Sequence, residues 1–298
     1  MDKKRSDIEK QDKKLILHGS WIKEMVQETA CLSFKVEKTL FSGKSKYQKV
    51  DIVKTYDHGV MLLNNDMVML CQRDEFIYHE MIAHVPLFTH PNPETVLIIG
   101  GGDGGTAREV LKHKNIKRVV NVEIDEMVVN ACKEFLPELS CSFDDDRVEL
   151  LIEDGVEYVK NTKEMFDIIL IDSTDPVGPA TPLFNKEFYK KAANILSKNG
   201  ILISQAESPF YNQDIQKVML ANQQYCFKKL NLYLFSNITY PGGLWSFGFA
   251  SQELDPIKDF KKQRVMQAGL KTKYYNQNIH EACFCIPEFI KDTLNGIF

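Results

Sequence analysis

Residues 94–111 constrain the fold of this 298-residue chain more than any other stretch. Val96, Leu97, Ile98 and Ile99 make an apolar run without alternation, the pattern of a parallel strand buried on both faces. Gly100, Gly101, Gly102, Gly104 and Gly105 follow with only Asp103 among them, so the backbone can turn sharply and approach a ligand closely. Thr106 to Leu111 has helical composition, and the loop therefore opens onto a helix N-terminus with unpaired N–H groups. About 20 residues later, a second apolar run, Val119-Val120-Asn121-Val122, ends in Glu123-Ile124-Asp125, where an acid would meet a ribose hydroxyl pair. Strand, loop, helix, strand and acid in this register predict a nucleoside-binding unit.

Asp103 narrows the ligand. A negative charge inside an anion-attracting loop repels a pyrophosphate or an amino-acid carboxylate. The ligand expected there is a nucleoside whose tail is cationic.

Hydrophobic residues make up 44% of the chain and charged residues 26%, as in ordinary globular proteins, and the length suits a large domain plus a smaller one. A formal net charge of −4 argues against nucleic-acid binding, which calls for a basic surface. No run approaches the roughly 18 apolar residues of a membrane span. Met1 to Lys14 is charged and lacks the apolar core of a signal peptide, so it reads as a solvated tail and the protein as cytoplasmic. Cys31, Cys71, Cys132, Cys141, Cys226, Cys283 and Cys285 form no CxxC pair and read as reduced thiols. His79 and His84 superficially resemble a zinc-protease pair, but positions five apart on a helix diverge by about 140°, and no metal is expected there.

Before the glycine loop, Trp21–Val26, Leu32–Glu37, Tyr47–Val53, Gly59–Leu63 and Met67–Leu70 read as short strands, with a turn at Asn64-Asn65-Asp66. They predict a small antiparallel β domain, with the tail spanning 1–72. From Asp74 the period changes: Phe76, Ile77, Met81, Ile82 and Val85 share one face of a helix that Asp74 is expected to cap. After the loop, strands alternate with helices: Val148–Ile152, Phe166–Ile171 and Gly200–Ser204 as buried strands, and Asp125–Phe135, Gly155–Lys160, Asn185–Leu196 and Asp214–Phe227 as helices. Late strands near Leu232–Phe235 and Trp245–Ala250 complete a doubly wound parallel sheet with an antiparallel edge, in a second domain spanning 73–298.

In that architecture ligands bind beyond the carboxyl ends of the strands. Asp103, Glu123, Asp154, Asp172 with Asp175, and Gln205 with Glu207 follow the five parallel strands in turn. Any one of them alone suits a helix N-cap, Asp154 especially. Together they would repel one another unless a cation, metal or polyamine, neutralises them. Asp172 to Pro182 holds three prolines and a glycine and reads as a semi-rigid loop able to close over a ligand.

These motifs carry a resemblance. Gly100 to Gly105, Val122-Glu123-Ile124-Asp125, Asp172 to Pro179 and Thr239-Tyr240-Pro241-Gly242-Gly243 resemble the signatures of spermidine synthases, as do Arg73 to Met81, with His79 after Tyr78 as in bacterial members, and the tail Lys273-Tyr274-Tyr275 with Ile279-His280. The resemblance runs from about Trp21 to the end. It implies an N-terminal β domain on a Rossmann-like, methyltransferase-type α/β domain, assembled as a homodimer or homotetramer. It also implies transfer of an aminopropyl group from decarboxylated S-adenosylmethionine to putrescine, with no other cofactor and no metal. Carried over motif by motif, Gln48, Glu123, Asp154, Gly155 and Pro179 would bind the nucleoside, Glu123 at the ribose and Asp154 at the adenine. Asp103 would take the aminopropyl ammonium. Tyr78, His79, Asp175 and Tyr240 would position the diamine, Asp172 would accept its proton, and Gln205 would line the pocket.

The residues suit that chemistry. Putrescine's amines, with pKa values near that of lysine, about 10.4, must shed a proton before attack, and Asp172 is the expected acceptor, working mainly by orienting and desolvating the amine. Three rivals remain at this stage. A putrescine N-methyltransferase would share the fold, but methyltransferases of this class usually carry an acid at the position of Ile98, whereas here the acid is Asp103. A non-catalytic polyamine-binding relative would be expected to lack Asp172 or Asp175, and both are present. In an NAD dehydrogenase Asp103 would face the pyrophosphate.

Overall fold

The computed structural model describes residues 20–176 and 178–297, without the side chain of Pro179; the tail read at Met1 to Lys14 and Val177 lie outside the described residues. The chain divides after Arg73 into two compact units.

The first unit is a five-stranded antiparallel meander. Its strands β1 (Trp21–Val26), β2 (Ala30–Lys44), β3 (Lys49–Thr55), β4 (Val60–Asn64) and β5 (Met67–Cys71) pair in chain order. Alternation at residues 32–37 buries Phe34 and Val36 and exposes Ser33 and Lys35, so one face of the sheet carries a core completed by Ile22, Val53, Met61, Leu63 and Val68. Strand β2 continues past Glu37 to Lys44, with register shifts between Val36 and Lys38 and between Thr39 and Phe41. Those irregularities interrupt the period of two, which is why the alternation reads as ending early. At the β4–β5 turn Asn65 and Asp66 both take positive φ, as a tight two-residue hairpin requires.

The second unit is a seven-stranded sheet. Its strands are β6 (Thr95–Gly100), β7 (Arg118–Glu123), β8 (Val148–Ile152), β9 (Phe166–Asp172), β10 (Leu196–Gln205), β11 (Lys229–Ser236) and β12 (Leu244–Ser251), in the order β11-β12-β10-β9-β6-β7-β8. The strands β6 to β10 pair in parallel, and β12 runs antiparallel to β10 and β11. This is the doubly wound sheet with an antiparallel edge that the alternation predicts. The order reverses between β6 and β9, so the ends of these two strands flank the topological switch point where such folds bind ligands.

Helices α1 (Glu75–Thr89), α2 (Gly105–Leu111), α3 (Glu126–Phe135), α4 (Pro137–Ser140), α5 (Gly155–Asn161), α6 (Lys186–Asn194), α7 (Gln213–Cys226), α8 (Lys262–Ala268), α9 (Gln277–Ala282) and α10 (Glu288–Thr293) complete the unit. None of the helices among the described residues is long and apolar enough to cross a membrane. The unbroken apolar strands bury both faces: Val96, Ile98, Ile168 and Leu170 join the core beneath α1, whereas Leu97, Ile99, Ile169 and Ile171 join the core beneath α6. Helix α6 ends at Asn194, and Leu196 already belongs to β10, where it pairs with Phe166; the helix expected to reach Leu196 is therefore shorter.

Helix α1 also departs from expectation. Asp74 stands at its N-cap but makes no side-chain cap; its carboxylate instead accepts hydrogen bonds from the N–H groups of Ile238 and Thr239 and from the Thr239 hydroxyl. It thereby ties the 237–243 loop to the start of the helix. The side chain of Glu80, buried on the same helix, accepts from the N–H groups of Lys273, Tyr274 and Tyr275, each at 2.8 Å. Glu80→Ala leaves three N–H groups of that tail without their acceptor and is expected to lower unfolding stability by about 3 kcal/mol, read as a shift in urea midpoint at unchanged slope.

Candidate active site

At the switch point the glycine loop and the end of β9 touch through their backbones. Gly101 N–H donates to the Asp172 carbonyl at 2.8 Å. A Cβ on Gly100, where φ is +86°, would fall 1.9 Å from that same carbonyl oxygen. Only glycine satisfies both conditions. Because β6 and β9 are locked there, Asp103 and Asp172 emerge side by side.

Asp103 is buried. Its Oδ1 accepts from Gly105 N–H at 2.7 Å and lies 3.3 Å from His79 Nε2. Asp172 is half-buried, and its Oδ2 accepts from the Thr106 hydroxyl at 2.6 Å, while Tyr78 donates to the same carboxylate. Ligand atoms of His79, Asp103 and Asp172 all lie within 4.8 Å of one another. On its other side His79 Nδ1 lies 2.6 Å from Glu75, which is paired with Arg108. Both imidazole nitrogens are thus engaged within the chain, and His84 is turned elsewhere, to Glu109 and His113.

Charge explains the titration behaviour. Burial alone would strip His79 of its proton, but the carboxylates of Asp103 and Glu75 outweigh it and raise His79 to about 10, so the ring is an imidazolium at neutral pH. Burial likewise opposes ionisation of Asp103, yet His79 and the Gly105 N–H hold it below the usual carboxylate range. Asp172 goes the other way: burial and the charge of Asp103 raise it, against the pull of His79, Thr106 and Tyr78. A divalent ion at this trio would have to displace the proton that His79 Nε2 carries toward Asp103, whereas an ammonium would not.

Glu123 ends β7 behind the loop. Its Oε1 accepts from Asp125 N–H at 2.9 Å, and burial, with Asp125, Asp103 and Asp172 nearby, raises it to about 7. A Cβ on Gly102 would come within 2.9 Å of the Glu123 carboxylate, so the missing side chain leaves room for that acid. Asp154 is exposed and caps α5 by accepting from Val156 N–H, and the backbone of Gly155 packs against Ile99. Gln48 lies in the first unit, between β2 and β3, where its backbone is bracketed by Ser45. Pro179 sits in a 3₁₀ segment, Gly178–Phe184, with its side chain outside the described residues.

A second acidic group forms at the end of β10. Glu207 is buried with φ +65°, a left-handed conformation uncommon outside glycine, and is held by Gln205 at 3.2 Å and by Asn212. Gln205 also accepts from Trp245 Nε1. Burial and the charge of Asp175 raise Glu207 to about 8, so it keeps a proton at neutral pH and donates it to Asp175, itself raised by burial. Tyr240, stacked edge-on against Tyr78 and tilted against Trp245, is kept protonated by burial and by Asp172, Asp74, Asp103 and Asp175.

The structure therefore gathers Asp103, Glu123, Asp172, Tyr78, His79 and Tyr240 around the switch point, with Asp175 beside Glu207. Sequence reasoning gave Glu207 no role of its own and overlooked Thr106, Glu75 and Arg108. The only signal for Glu207 was its position two residues after the strand-end Gln205. Gly105→Ala, a favourable change in an ordinary helix, here places a Cβ 2.3–2.6 Å from the His79 ring. It is expected to cost about 1–3 kcal/mol in thermal unfolding measurements, as overpacking does.

Residues 75–262 match a family model described as the spermine/spermidine synthase domain, and residues 20–72 match one described as the spermidine synthase tetramerisation domain. A polyamine aminopropyltransferase from Clostridium kluyveri is 45% identical over 272 residues, 91% of this chain and 98% of the relative. A polyamine aminopropyltransferase from Methanocaldococcus jannaschii is 45% identical over 278 residues, 92% and 94% of the two chains. Among solved structures, a spermidine synthase in complex with the transition state analogue AdoDATO matches with a TM-score of 0.90 at 41% identity, covering 95% of this chain and 99% of its own. The spermidine synthase from Thermotoga maritima matches at 0.89 and 41% identity, covering 95% and 98%.

Proposed function

Because the chain belongs to the spermine/spermidine synthase family and is a transferase, we propose that it carries an aminopropyl group from decarboxylated S-adenosylmethionine to putrescine, giving spermidine and 5′-methylthioadenosine. The observation that carries this reading is Asp103, a buried carboxylate inside the glycine loop, lying beside a second acid, Asp172. Such a pair repels the carboxylate in the zwitterionic tail of S-adenosylmethionine and attracts a tail ending in an ammonium alone. The aminopropyltransferase relatives support aminopropyl transfer as the chemistry.

In this reading Glu123 takes the ribose hydroxyls, Asp154 and Gly155 meet the adenine, and Pro179 borders the nucleoside. Asp103 pairs with the aminopropyl ammonium. Asp172 faces the attacking amine, with Thr106 and Tyr78 fixing its carboxylate. Tyr240 flanks the diamine. Asp175, with Glu207 beside it, takes the distal ammonium. Tyr78 and His79 border the diamine, and His79, itself cationic, also acts through Asp103.

The amine nitrogen, freed of one proton, attacks the methylene carbon next to the sulfonium. A C–N bond forms, the C–S bond breaks, and the electron pair of that bond neutralises the sulfur. The proton lost before attack passes to Asp172, directly or through water, and the product nitrogen keeps its positive charge as a secondary ammonium. Its raised affinity for protons makes Asp172 a better acceptor than an exposed aspartate, although orientation and desolvation of the amine remain its main contribution. A neutral thioether leaves, so the step needs no oxyanion hole and no metal. The first unit's match to a tetramerisation domain supports assembly as an oligomer, dimer or tetramer.

Product analysis with the decarboxylated donor and competing putrescine, cadaverine and spermidine tests the reading. Methylthioadenosine with spermidine as main product is expected; S-adenosylhomocysteine from S-adenosylmethionine would transfer the reading to a methyltransferase, and binding without turnover to a sensor. Asp172→Asn is expected to lower kcat by about 10²–10⁴, and turnover near wild type would remove Asp172 from the chemistry. Diamine binding should strengthen as pH rises from 6 through about 8, because Glu207 must give up its proton while the amines stay charged. Calorimetry in buffers of different ionisation enthalpy should read that proton release, and Glu207→Gln should remove it.

A further inference from the structure

Behind Asp103 runs a line of alternating charges that no substrate contact requires. Glu109, buried on α2, is paired with His84 at 3.1 Å and with Lys112, and its Oε1 lies 2.9 Å from Arg108 Nε. The Arg108 guanidinium then spans to Glu75, with Nη1 and Nη2 donating at 3.2 and 2.8 Å to its two oxygens. Glu75 Oε2 meets His79 Nδ1 at 2.6 Å, and His79 Nε2 lies 3.3 Å from Asp103. Both contacts made by Asp103 fall on Oδ1, which leaves its second oxygen undrawn by either. Arg108, Glu75, His79 and Asp103 thus alternate in sign, and the order matters: with Glu75 in place, the imidazole has a carboxylate at each nitrogen and no neutral tautomer can satisfy both.

We propose that Glu75 and Arg108 are positioning residues for donor binding: through His79 they keep the Asp103 carboxylate charged and oriented for the donor's ammonium. This inference rests on the aminopropyl-transfer reading. The groups facing His79 are Glu75 on its own helix, Asp103 in the glycine loop, and Asp172 at the end of β9, with Arg108 on α2 behind Glu75. Removing the charge of Glu75 leaves His79 one carboxylate short in a buried site, where burial favours the neutral ring. Once the imidazolium is lost, Asp103 and Asp172 face each other without the cation that separates them, and a proton is drawn onto the pair. The donor's ammonium then has to displace that proton.

The sign of the pH effect follows. In the wild type the relay holds Asp103 ionised, so it adds no pH dependence to donor affinity between pH 6 and 9. In Glu75→Gln the carboxyl pair titrates upward into that range, so donor affinity falls as pH falls and recovers as pH rises. Each unit by which the pair is raised appears as about a tenfold loss on the acid side. The probe that separates positioning from structural support is 5′-methylthioadenosine, which has the same nucleoside and no ammonium tail.

The test measures dissociation constants of decarboxylated S-adenosylmethionine and of methylthioadenosine, without acceptor, from pH 6 to 9. For Glu75→Gln the donor is expected to bind about tenfold more weakly at pH 6.5, with the deficit shrinking below about threefold at pH 9, and methylthioadenosine is expected to bind as to wild type. Glu75→Asp, which keeps the charge, should restore the wild-type profile. A loss that is equal for both ligands or independent of pH overturns the proposal. If Glu75→Gln does not fold, histidine-labelled NMR of the wild type decides: one imidazole, absent in His79→Gln, should remain an imidazolium at pH 8.5. Titration of every histidine below pH 7.5 overturns the proposal. Neither readout depends on turnover, so failure of the aminopropyl-transfer reading would show separately, as absent methylthioadenosine product.

Discussion

Everything at the site depends on one backbone contact, the approach of Gly100 and Gly101 to the Asp172 carbonyl. The contact closes the register of β6 against β9 at the place where the sheet reverses direction. With no Cβ in the way, the loop turns over the strand end and brings Asp103 next to Asp172. Two acids at that distance, with Glu123 close behind, would repel each other in a poorly solvated site. The fold answers with a buried imidazolium between Asp103 and Glu75. The surplus negative charge that remains is held partly as protons on Glu123 and Glu207.

Helix α1 supplies most of the supports for this arrangement. Asp74 holds the loop that carries Tyr240, Glu75 holds Arg108 and His79, Tyr78 reaches Asp172, and Glu80 gathers the 273–275 tail. The Met81 carbonyl receives the Tyr233 hydroxyl, and His84 bridges Glu109 and His113. Every residue from Tyr78 to Thr89 is buried, polar and apolar alike. The apolar period predicts the helix and one of its faces; it is silent about the other face, where burial is made tolerable by partners 24 to 195 positions away in the chain.

That division describes legibility throughout the molecule. The parallel sheet was readable because strands buried on both faces leave runs such as Val96–Ile99 and Phe166–Ile171, which only one architecture explains easily. Strand ends followed by acids were readable for the same reason, since alternation fixes which end is which. Boundaries were less so: Leu196 continues the apolar spacing of α6 while belonging to β10, and β2 hides half its length behind irregular register. Asp74 looked like a cap because a cap and a long-range anchor need the same short acid at the same place. Arg108 and Thr106 carry no local signature, because what defines them is a partner on another element.

The charge pattern also bears on why the acid lies inside the glycine loop rather than before it. A helix N-terminus already attracts anions, so a carboxylate placed there is held by the loop's own N–H groups, as Gly105 holds Asp103. An external carboxylate, such as the tail of an amino acid, would compete for those same donors and meet Asp103 first. A tail with only an ammonium competes for nothing: it replaces no hydrogen bond and adds the positive charge that the site lacks. On the proposed reading, the protons resting on Glu207 and Glu123 are placeholders that cationic groups would release. The site thus carries a deficit of positive charge that two protein residues, His79 and Arg108, only partly fill.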